Sequence, residues 1–273
     1  MTTGLQRLSA AFERARTEKR KPLVLYLTGG DPDFETSLRV INAAAKAGMD
    51  ILELGVPWSD PSADGLAIQG AMDRAIKSGG GLHRTLELCR RIREENPNLP
   101  IVLFGYANPI VVMGISNYAK AAREAGADGT LCVDWPADDD RDLPDALVAE
   151  SLAFVPLLAP TSTEKRMASV LQSASGFVYY VSLTGITGAA LTDFADVGQM
   201  VGRIRGLSPA ALPVVVGFGI KTPDDARAIA KHADAVVVGS AAVRIIEAAT
   251  AAGRDPAPEM AAFVQNCKAA LGS

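Results

Sequence analysis

Short apolar runs alternate with amphipathic segments along the whole chain. Eight runs of five or six residues, rich in Val, Ile and Leu, have the length of β-strands. Most are apolar at nearly every position, which is typical of parallel strands covered on both faces. They occupy Leu23–Thr28, Ile51–Val56, Ile101–Tyr106, Gly129–Asp134, Ala153–Leu158, Phe177–Ser182, Pro213–Gly217 and Ala235–Gly239.

The segments between the runs have helical periodicity, and one more helix precedes the first run. We predict this N-terminal helix over residues 4–18, with Pro22 marking the entry to the first strand. Its apolar positions recur at helical spacing, at Leu5, Leu8, Phe12 and Ala15. The chain therefore reads as one helix followed by eight strand–helix units.

No linker, low-complexity tract or charge block divides the 273 residues. We therefore predict one domain over residues 1–273, an α/β protein whose eight units close into a (β/α)8 TIM barrel with an extra N-terminal helix. An open doubly wound sheet remains the alternative. Ala47-Gly48-Met49-Asp50 resembles Ala125-Gly126-Ala127-Asp128, which indicates a shared helix-to-strand turn with a left-handed glycine.

Composition removes several classes of function. The 27 basic and 31 acidic residues give a net charge of −4, so no large positive field gathers nucleic acid. Cys89, Cys132 and Cys267 are too few for a disulfide framework or zinc site, and we expect buried thiols. His83 and His232 are the only histidines, which disfavours a histidine metal site or a Cys–His pair.

Targeting and membrane signals are weak in this sequence. The first 22 residues carry eight charged side chains and lack the apolar core of a secretory signal. Two uncharged stretches, residues 96–119 and 171–192, are broken by proline, asparagine or glycine, so neither resembles a membrane span. We expect a cytoplasmic protein.

Carboxylates follow the second strand, where a barrel places its active site. Glu53 lies between Leu52 and Leu54 in an apolar run, and burial of such a carboxyl favours its acid form, as general acid–base catalysis requires. Asp64 follows eleven residues later in a loop stiffened by prolines. The alternatives are a glutamate satisfied by a neighbouring backbone group or lysine, and an aspartate that caps a turn.

Glycine-rich segments follow the last three strands. Gly217-Phe218-Gly219 and Gly239-Ser240 follow the seventh and eighth strands, where barrels often bind phosphate through backbone N–H groups and a helix N-terminus. Gly185–Gly188 follows the sixth strand and has the composition of a lid. A flexible surface loop is the alternative for this segment.

Together these segments closely resemble the tryptophan synthase α subunit family, from near Leu5 to near Ala270. The segment from Glu53 to Gly65 is specific, whereas the glycine loops occur in many phosphate-binding barrels. The other matching segments are Thr28-Gly29-Gly30-Asp31-Pro32, Tyr106-Ala107-Asn108-Pro109, Ala159-Pro160-Thr161-Ser162, Gly185–Gly188, Gly217-Phe218-Gly219 and Gly239-Ser240.

The resemblance implies a lyase that cleaves indole-3-glycerol phosphate to indole and glyceraldehyde 3-phosphate by a retro-aldol reaction. It implies Glu53 as the acid–base residue, Asp64 as the partner of the indole N–H, and Tyr179 as the residue that places Glu53. Thr187 would engage Asp64 on lid closure. Phosphate would be held by Gly188, Gly219, Gly239 and Ser240, and the indole pocket flanked by Tyr26, Phe104, Leu131 and Phe218.

The same resemblance implies a β subunit partner in an α2β2 heterotetramer. Pyridoxal phosphate is expected in that β subunit, and no cofactor or metal in this chain. Trp58, Ser62 and Leu66 depart from the family's usual residues in the loop bearing Asp64, which affects partner contacts and loop closure. The alternatives are a free-standing lyase, another phosphosugar barrel such as an isomerase, and a non-catalytic regulatory barrel.

Overall fold

Each of the eight predicted strands is present and is followed by at least one helix, as the sequence predicts. The computed structural model describes residues 4–181, 194–217 and 219–272, and the elements below belong to these ranges. The strands are β1 Leu23–Thr28, β2 Ile51–Gly55, β3 Ile101–Gly105, β4 Gly129–Cys132, β5 Ala153–Phe154, β6 Leu157–Leu158, β7 Val178–Val181, β8 Val214–Gly217 and β9 Ala235–Val238. The helices are α1 Gly4–Thr17, α2 Phe34–Ala47, α3 Leu66–Lys77, α4 Leu82–Glu95, α5 Ala107–Met113, α6 Ile115–Glu124, α7 Asp142–Ala149, α8 Glu164–Leu171, α9 Phe194–Leu207, α10 Pro223–Ala230, α11 Ser240–Ala251 and α12 Ala257–Leu271.

The sheet closes through the fifth predicted strand, which is divided into β5 and β6. All paired strands are parallel, in the order β5-β4-β3-β2-β1-β9-β8-β7-β6. Only Val155 and Pro156 separate the two edge strands. The Val155 N–H donates to the Thr130 carbonyl at 2.9 Å, and the Pro156 carbonyl accepts from the Tyr179 N–H at 2.9 Å. One chain segment thus bridges both edges, and the closed barrel is confirmed over the open sheet.

Successive strand residues face opposite sides of the barrel wall. Leu23, Leu25 and Leu27 pack outward under the helices, whereas Val24 and Tyr26 belong to the cluster that fills the interior. β1 to β5, β8 and β9 are buried at every position, which accounts for their continuous apolar runs.

The N-terminal helix closes one end of the barrel. α1 ends at Thr17, in agreement with the predicted bounds, and Leu8 and Ala11 pack with the barrel interior. Gly176 leaves room for this contact, since a Cβ there would lie 3.0 Å from Leu8 Cδ1. The helix therefore supplies the apolar floor of the barrel.

Three aspartates anchor the amino ends of the strands. Asp50, Asp128 and Asp234 each stand immediately before a strand, and each carboxylate accepts a hydrogen bond from the first N–H of the preceding strand. The shared turn is confirmed, because Gly48 and Gly126 have φ values of 109° and 85°. The donors are Leu23, Ile101 and Val214, at 2.9, 2.7 and 2.9 Å.

Each of these carboxylates also pairs with arginine. Arg20 forms two hydrogen bonds to Asp50, at 2.5 and 2.8 Å. Arg7 and Arg93 contact Asp128 at 2.6 and 2.7 Å, and Arg7 comes from α1. The same carboxylates therefore fix the N-terminal helix and the strand ends.

The cysteines are buried and free, as predicted. Burial raises the pKa of the Cys89 thiol to about 12 and that of Cys267 to about 11, and it also raises the pKa of Cys132. These thiols stay protonated and inert at neutral pH. Among the described residues, no helix is long and apolar enough to span a membrane.

We predict that Asp128→Asn lowers the free energy of unfolding by about 3 kcal/mol, because two largely buried guanidinium groups lose their counter-charge. Urea denaturation at neutral pH measures this change. Glu87→Gln is the control, since it removes an exposed ion pair with Arg84 and should cost no more than about 1 kcal/mol. Equal losses in the two variants would contradict the anchoring role.

Candidate active site

Glu53 lies in the barrel interior without a polar partner. Its neighbours Leu52 and Leu54 face the helices, so the side chain of Glu53 points inward, beside Tyr26 in register. The side chain is fully buried, and neither carboxylate oxygen has a hydrogen-bond partner among the described residues. Burial raises the pKa of Glu53 to about 8. The group is therefore a neutral carboxylic acid at pH 7.

Asp64 is held in the loop between β2 and α3 by a tyrosine from the next strand. The Tyr106 hydroxyl donates to Asp64 Oδ2 at 2.6 Å and accepts from the Ala63 N–H at 3.2 Å. Burial raises the pKa of Asp64, whereas the Tyr106 hydrogen bond lowers it. Tyr106 follows β3 and so reaches the same barrel end as the loop after β2.

Two further contacts fix the base of this loop. The side-chain amide of Gln69 donates to the Asp64 carbonyl at 2.7 Å. Arg74, in α3, makes a bidentate contact with the buried Asp31 after β1, at 2.8 and 2.9 Å. The helix that carries Gln69 is thereby fixed to the barrel, and the loop bearing Asp64 begins and ends at rigid elements.

Aromatic side chains line the interior next to Glu53. The Tyr26 and Phe104 rings meet edge to face with centroids 5.1 Å apart, and the Phe104 and Tyr179 centroids are 6.4 Å apart. Burial raises the pKa of Tyr26 and Tyr179, and the nearby Glu53 and Asp64 raise both further. Leu131 belongs to the same interior cluster. The structure thus brings together these predicted pocket residues and both carboxyl groups.

Two glycines make room for the tyrosines. A Cβ at Gly55 would lie 2.7 Å from Tyr26 Cζ, and a Cβ at Gly217 would lie 2.5 Å from Tyr179 Cζ. Real Cβ atoms do not approach so closely. Any side chain at either glycine would displace a tyrosine from the pocket.

Three of the four predicted phosphate residues, Gly219, Gly239 and Ser240, lie at the carboxyl ends of β8 and β9. Gly217 is in register with Val237, so the chain leaves the two strands side by side toward Gly219 and Gly239. Gly219 has a φ of 72°, and Gly239 precedes α11, whose first residue is Ser240. No described side chain caps this helix, so its first N–H groups have no side-chain acceptor among the residues that the structure describes.

The remaining predicted site residues, Thr187, Gly188 and Phe218, lie outside the described residues. Tyr106 and Gly55 have no predicted role, and Gly217 was predicted only as part of the phosphate loop, not as space for a tyrosine. The sequence does contain one signal for the position of Tyr106. This residue directly follows the strand next to β2, and it therefore lies at the same barrel end as Asp64.

A closed parallel barrel with buried carboxyl groups at the carboxyl ends of its strands is the architecture of a (β/α)8-barrel enzyme. Residues 12–272 match the family model described as tryptophan synthase alpha chain. The tryptophan synthase subunit alpha from Legionella pneumophila is similar, with 35% identity, coverage of 97% of this chain and 98% of that chain, and a TM-score of 0.90.

Two other solved structures are also similar to this chain. An Aquifex aeolicus protein has 37% identity, coverage of 98% of this chain and 99% of that chain, and a TM-score of 0.87. A chain of Mycobacterium tuberculosis tryptophan synthase has 30% identity, coverage of 97% and 98%, and a TM-score of 0.85.

This chain belongs to the tryptophan synthase alpha chain family. The family consists of lyases that cleave indole-3-glycerol phosphate, and the predicted activity is thereby confirmed. The matches support this reading over the alternatives that the sequence left open.

We predict that Tyr106→Phe raises the pKa of Asp64 further, because the variant lacks the charge-assisted hydrogen bond that favours the carboxylate. Carboxyl-carbon NMR of aspartate-labelled protein measures the titration, and the signal is assigned by its loss in Asp64→Asn. Tyr118→Phe is the control, because it removes a buried hydroxyl that contacts Thr130 instead. An unchanged Asp64 titration in Tyr106→Phe would contradict the predicted effect.

Proposed function

We propose that Glu53 and Asp64 divide the acid–base work of indole-3-glycerol phosphate cleavage. The observation that carries the proposal is the fully buried, unpartnered carboxyl group of Glu53, whose pKa is raised to about 8. Such a group holds a proton at neutral pH and can still release it, as general acid catalysis requires. Asp64 reaches the same space from the neighbouring loop and can stay ionised with the help of Tyr106.

One carboxyl group can carry out both proton transfers of the reaction. Glu53 donates its proton to the indole ring carbon that bears the glycerol chain. The bond from that carbon to the chain then breaks, its electron pair returns to the ring, and the adjacent hydroxyl becomes the aldehyde of glyceraldehyde 3-phosphate. Glu53 accepts the hydroxyl proton and so ends the cycle protonated. No external acid or base is consumed.

Asp64 stabilises the charge that protonation places on the ring. Its carboxylate accepts a hydrogen bond from the indole N–H, which becomes more acidic when the ring is cationic. Tyr179 packs beside Glu53 and limits the positions of its carboxyl group. Thr187 engages Asp64 when the loop after β7 closes. The two carboxyl groups thus have different charges because their environments differ.

The rest of the substrate is held by apolar walls and backbone groups. Tyr26, Phe104, Leu131 and Phe218 flank the indole, and Gly188, Gly219, Gly239 and Ser240 bind the phosphate. The uncapped N-terminus of α11 supports the second assignment, because free N–H groups and the helix dipole attract a dianion. Phosphate binding away from the reacting bond orients the ring above Glu53.

We also propose that the chain, as one domain over residues 1–273, works with a β subunit in the α2β2 heterotetramer. Leu66 and Val112 are 85% and 80% exposed, and they lie in α3 and α5 beyond the carboxyl ends of β2 and β3. Indole leaving this end would meet that partner. Pyridoxal phosphate then acts in the β subunit, this chain needs no cofactor, and both work in the cytoplasm.

We predict that Glu53→Gln lowers kcat for indole release by about a thousandfold, since glutamine cannot donate the proton. Binding of glycerol 3-phosphate should persist, because the phosphate residues are unchanged. The stability of the variant should also exceed that of the wild type increasingly as pH rises from about 5 to 9. The folded wild type holds a proton up to about pH 8, whereas the unfolded chain releases it near 4.5, so ionisation costs the wild type up to roughly 5 kcal/mol.

Glu87→Gln is the control for this measurement, because Glu87 is an exposed glutamate outside the barrel. It should retain indole release and the wild-type stability to within about 1 kcal/mol. Full activity in Glu53→Gln would overturn the catalytic assignment, and a pH-independent stability difference would overturn the raised pKa.

We predict that Val112→Glu lowers the stimulation of indole release by the β subunit about tenfold, because it places a charge on the proposed contact surface. Steady-state assays with and without the β subunit measure the stimulation. Val148→Glu makes the same change at an exposed valine of α7 and should retain it. Equal stimulation of both variants would contradict the proposed position of the interface at Val112.

A further inference from the structure

A second cleft lies at the amino ends of the barrel strands, opposite the candidate active site. It encloses about 750 Å³, within the usual range of small-molecule sites. Pro22, Pro213 and Asp234, which line it, stand immediately before β1, β8 and β9. Because the active sites of such barrels form at the carboxyl ends of the strands, this cleft is separate from the site described above.

The cleft is basic although the protein has a net charge of −4. Seven basic side chains and two acidic side chains line it. Both acidic groups are already paired, Asp234 with Arg205 at 2.7 Å and Glu13 with Arg16 at 2.5 Å. Arg20 and Arg227 are also paired, with Asp50 and Asp224, so the positive charge that remains in the lining is carried by its lysines.

Three lysines of the cleft lining carry positive charge that is not held in an ion pair with a described residue. Lys19 and Lys21 follow α1, Lys231 follows α10, and all three line the cleft. None of the three ammonium groups forms an ion pair with another described residue. These long side chains can bind one anion together. Because they form no ion pair with a described residue, anion binding need not first break one.

The backbone of the cleft adopts an unusual conformation at two points. Lys19 and Ala211 have φ values of 54° and 48°, and both line the cleft. Only one other non-glycine residue in the described ranges has a positive φ. Glycine adopts this conformation at lower cost, so a lysine there is expected where its side chain is used. Residues held in such conformations concentrate at functional sites.

The floor between the lysines is apolar. Phe12, Leu212 and Pro213 line the cleft and are each partly exposed. A bare inorganic anion would leave this surface in contact with water. A ligand with both an apolar group and several negative charges would cover the floor and meet the lysines together.

We propose that this cleft binds an organic polyanion that carries an apolar group, the chemical class of the nucleoside triphosphates. The phosphates contact Lys19, Lys21 and Lys231, and the planar base covers Phe12, Leu212 and Pro213. This site is independent of the proposed catalytic roles, because it shares no residue with the active site.

Isothermal titration of the full chain with ATP tests the proposal. Metal-free buffer of low ionic strength preserves the electrostatic attraction. Saturating glycerol 3-phosphate occupies the substrate's phosphate site, so that only the second site is measured. We expect saturable binding at millimolar ATP or below. Inorganic tripolyphosphate should bind at least about tenfold more weakly, because it lacks the apolar group. No saturable ATP binding, or equal affinity for the two anions, would overturn the proposal.

The triple variant Lys19→Met, Lys21→Met, Lys231→Met locates the binding, and we expect at least tenfold lower ATP affinity. The matched control is Lys77→Met, Lys120→Met, Lys165→Met, which removes the same charge from exposed positions elsewhere and should bind as the wild type. Replacing the three cleft lysines by arginine should restore binding and excludes a folding defect. Equal ATP affinity in the two methionine variants would overturn the proposal.

Discussion

Burial of the Glu53 carboxyl group costs free energy that no hydrogen bond or ion pair within the described chain offsets. The barrel tolerates this group in its neutral form, and the raised pKa of about 8 is the direct result. A nearby cation would lower that pKa and remove the acid. The aromatic and aliphatic lining around Glu53 is therefore a chemical requirement of the site, as well as a packing solution.

The stability that offsets this cost is built at the other end of the barrel. Asp50, Asp128 and Asp234 each accept hydrogen bonds from a strand N–H and from arginine. Glu53, in contrast, has no such partner among the described residues. The two kinds of acidic residue lie at opposite ends of the strands. One end holds the strands and α1 together, while the barrel interior keeps a carboxyl group that has no hydrogen-bond partner among the described residues.

Much of this arrangement is readable from the sequence, because strand period and turn glycines are local signals. The eight runs became the barrel strands, and Glu53 was identified by its place in an apolar run. The division of the fifth run at Pro156 was missed, because it depends on which neighbour each half meets. The fit of Tyr26 against Gly55, and of Tyr179 against Gly217, joins positions far apart in the chain. The periodicity of apolar residues along the sequence carries no information about such pairs.

The hydrogen bond from Tyr106 to Asp64 shows how the barrel separates the properties of two carboxyl groups that share one pocket. Burial pushes the pKa of both upward, but only Asp64 receives a hydroxyl donor, and that donor is also anchored to the Ala63 N–H. The donor follows β3 and the acceptor lies in the loop after β2, so the contact forms only when adjacent strands are in register. Strand register therefore sets which of the two carboxyl groups receives a hydroxyl donor.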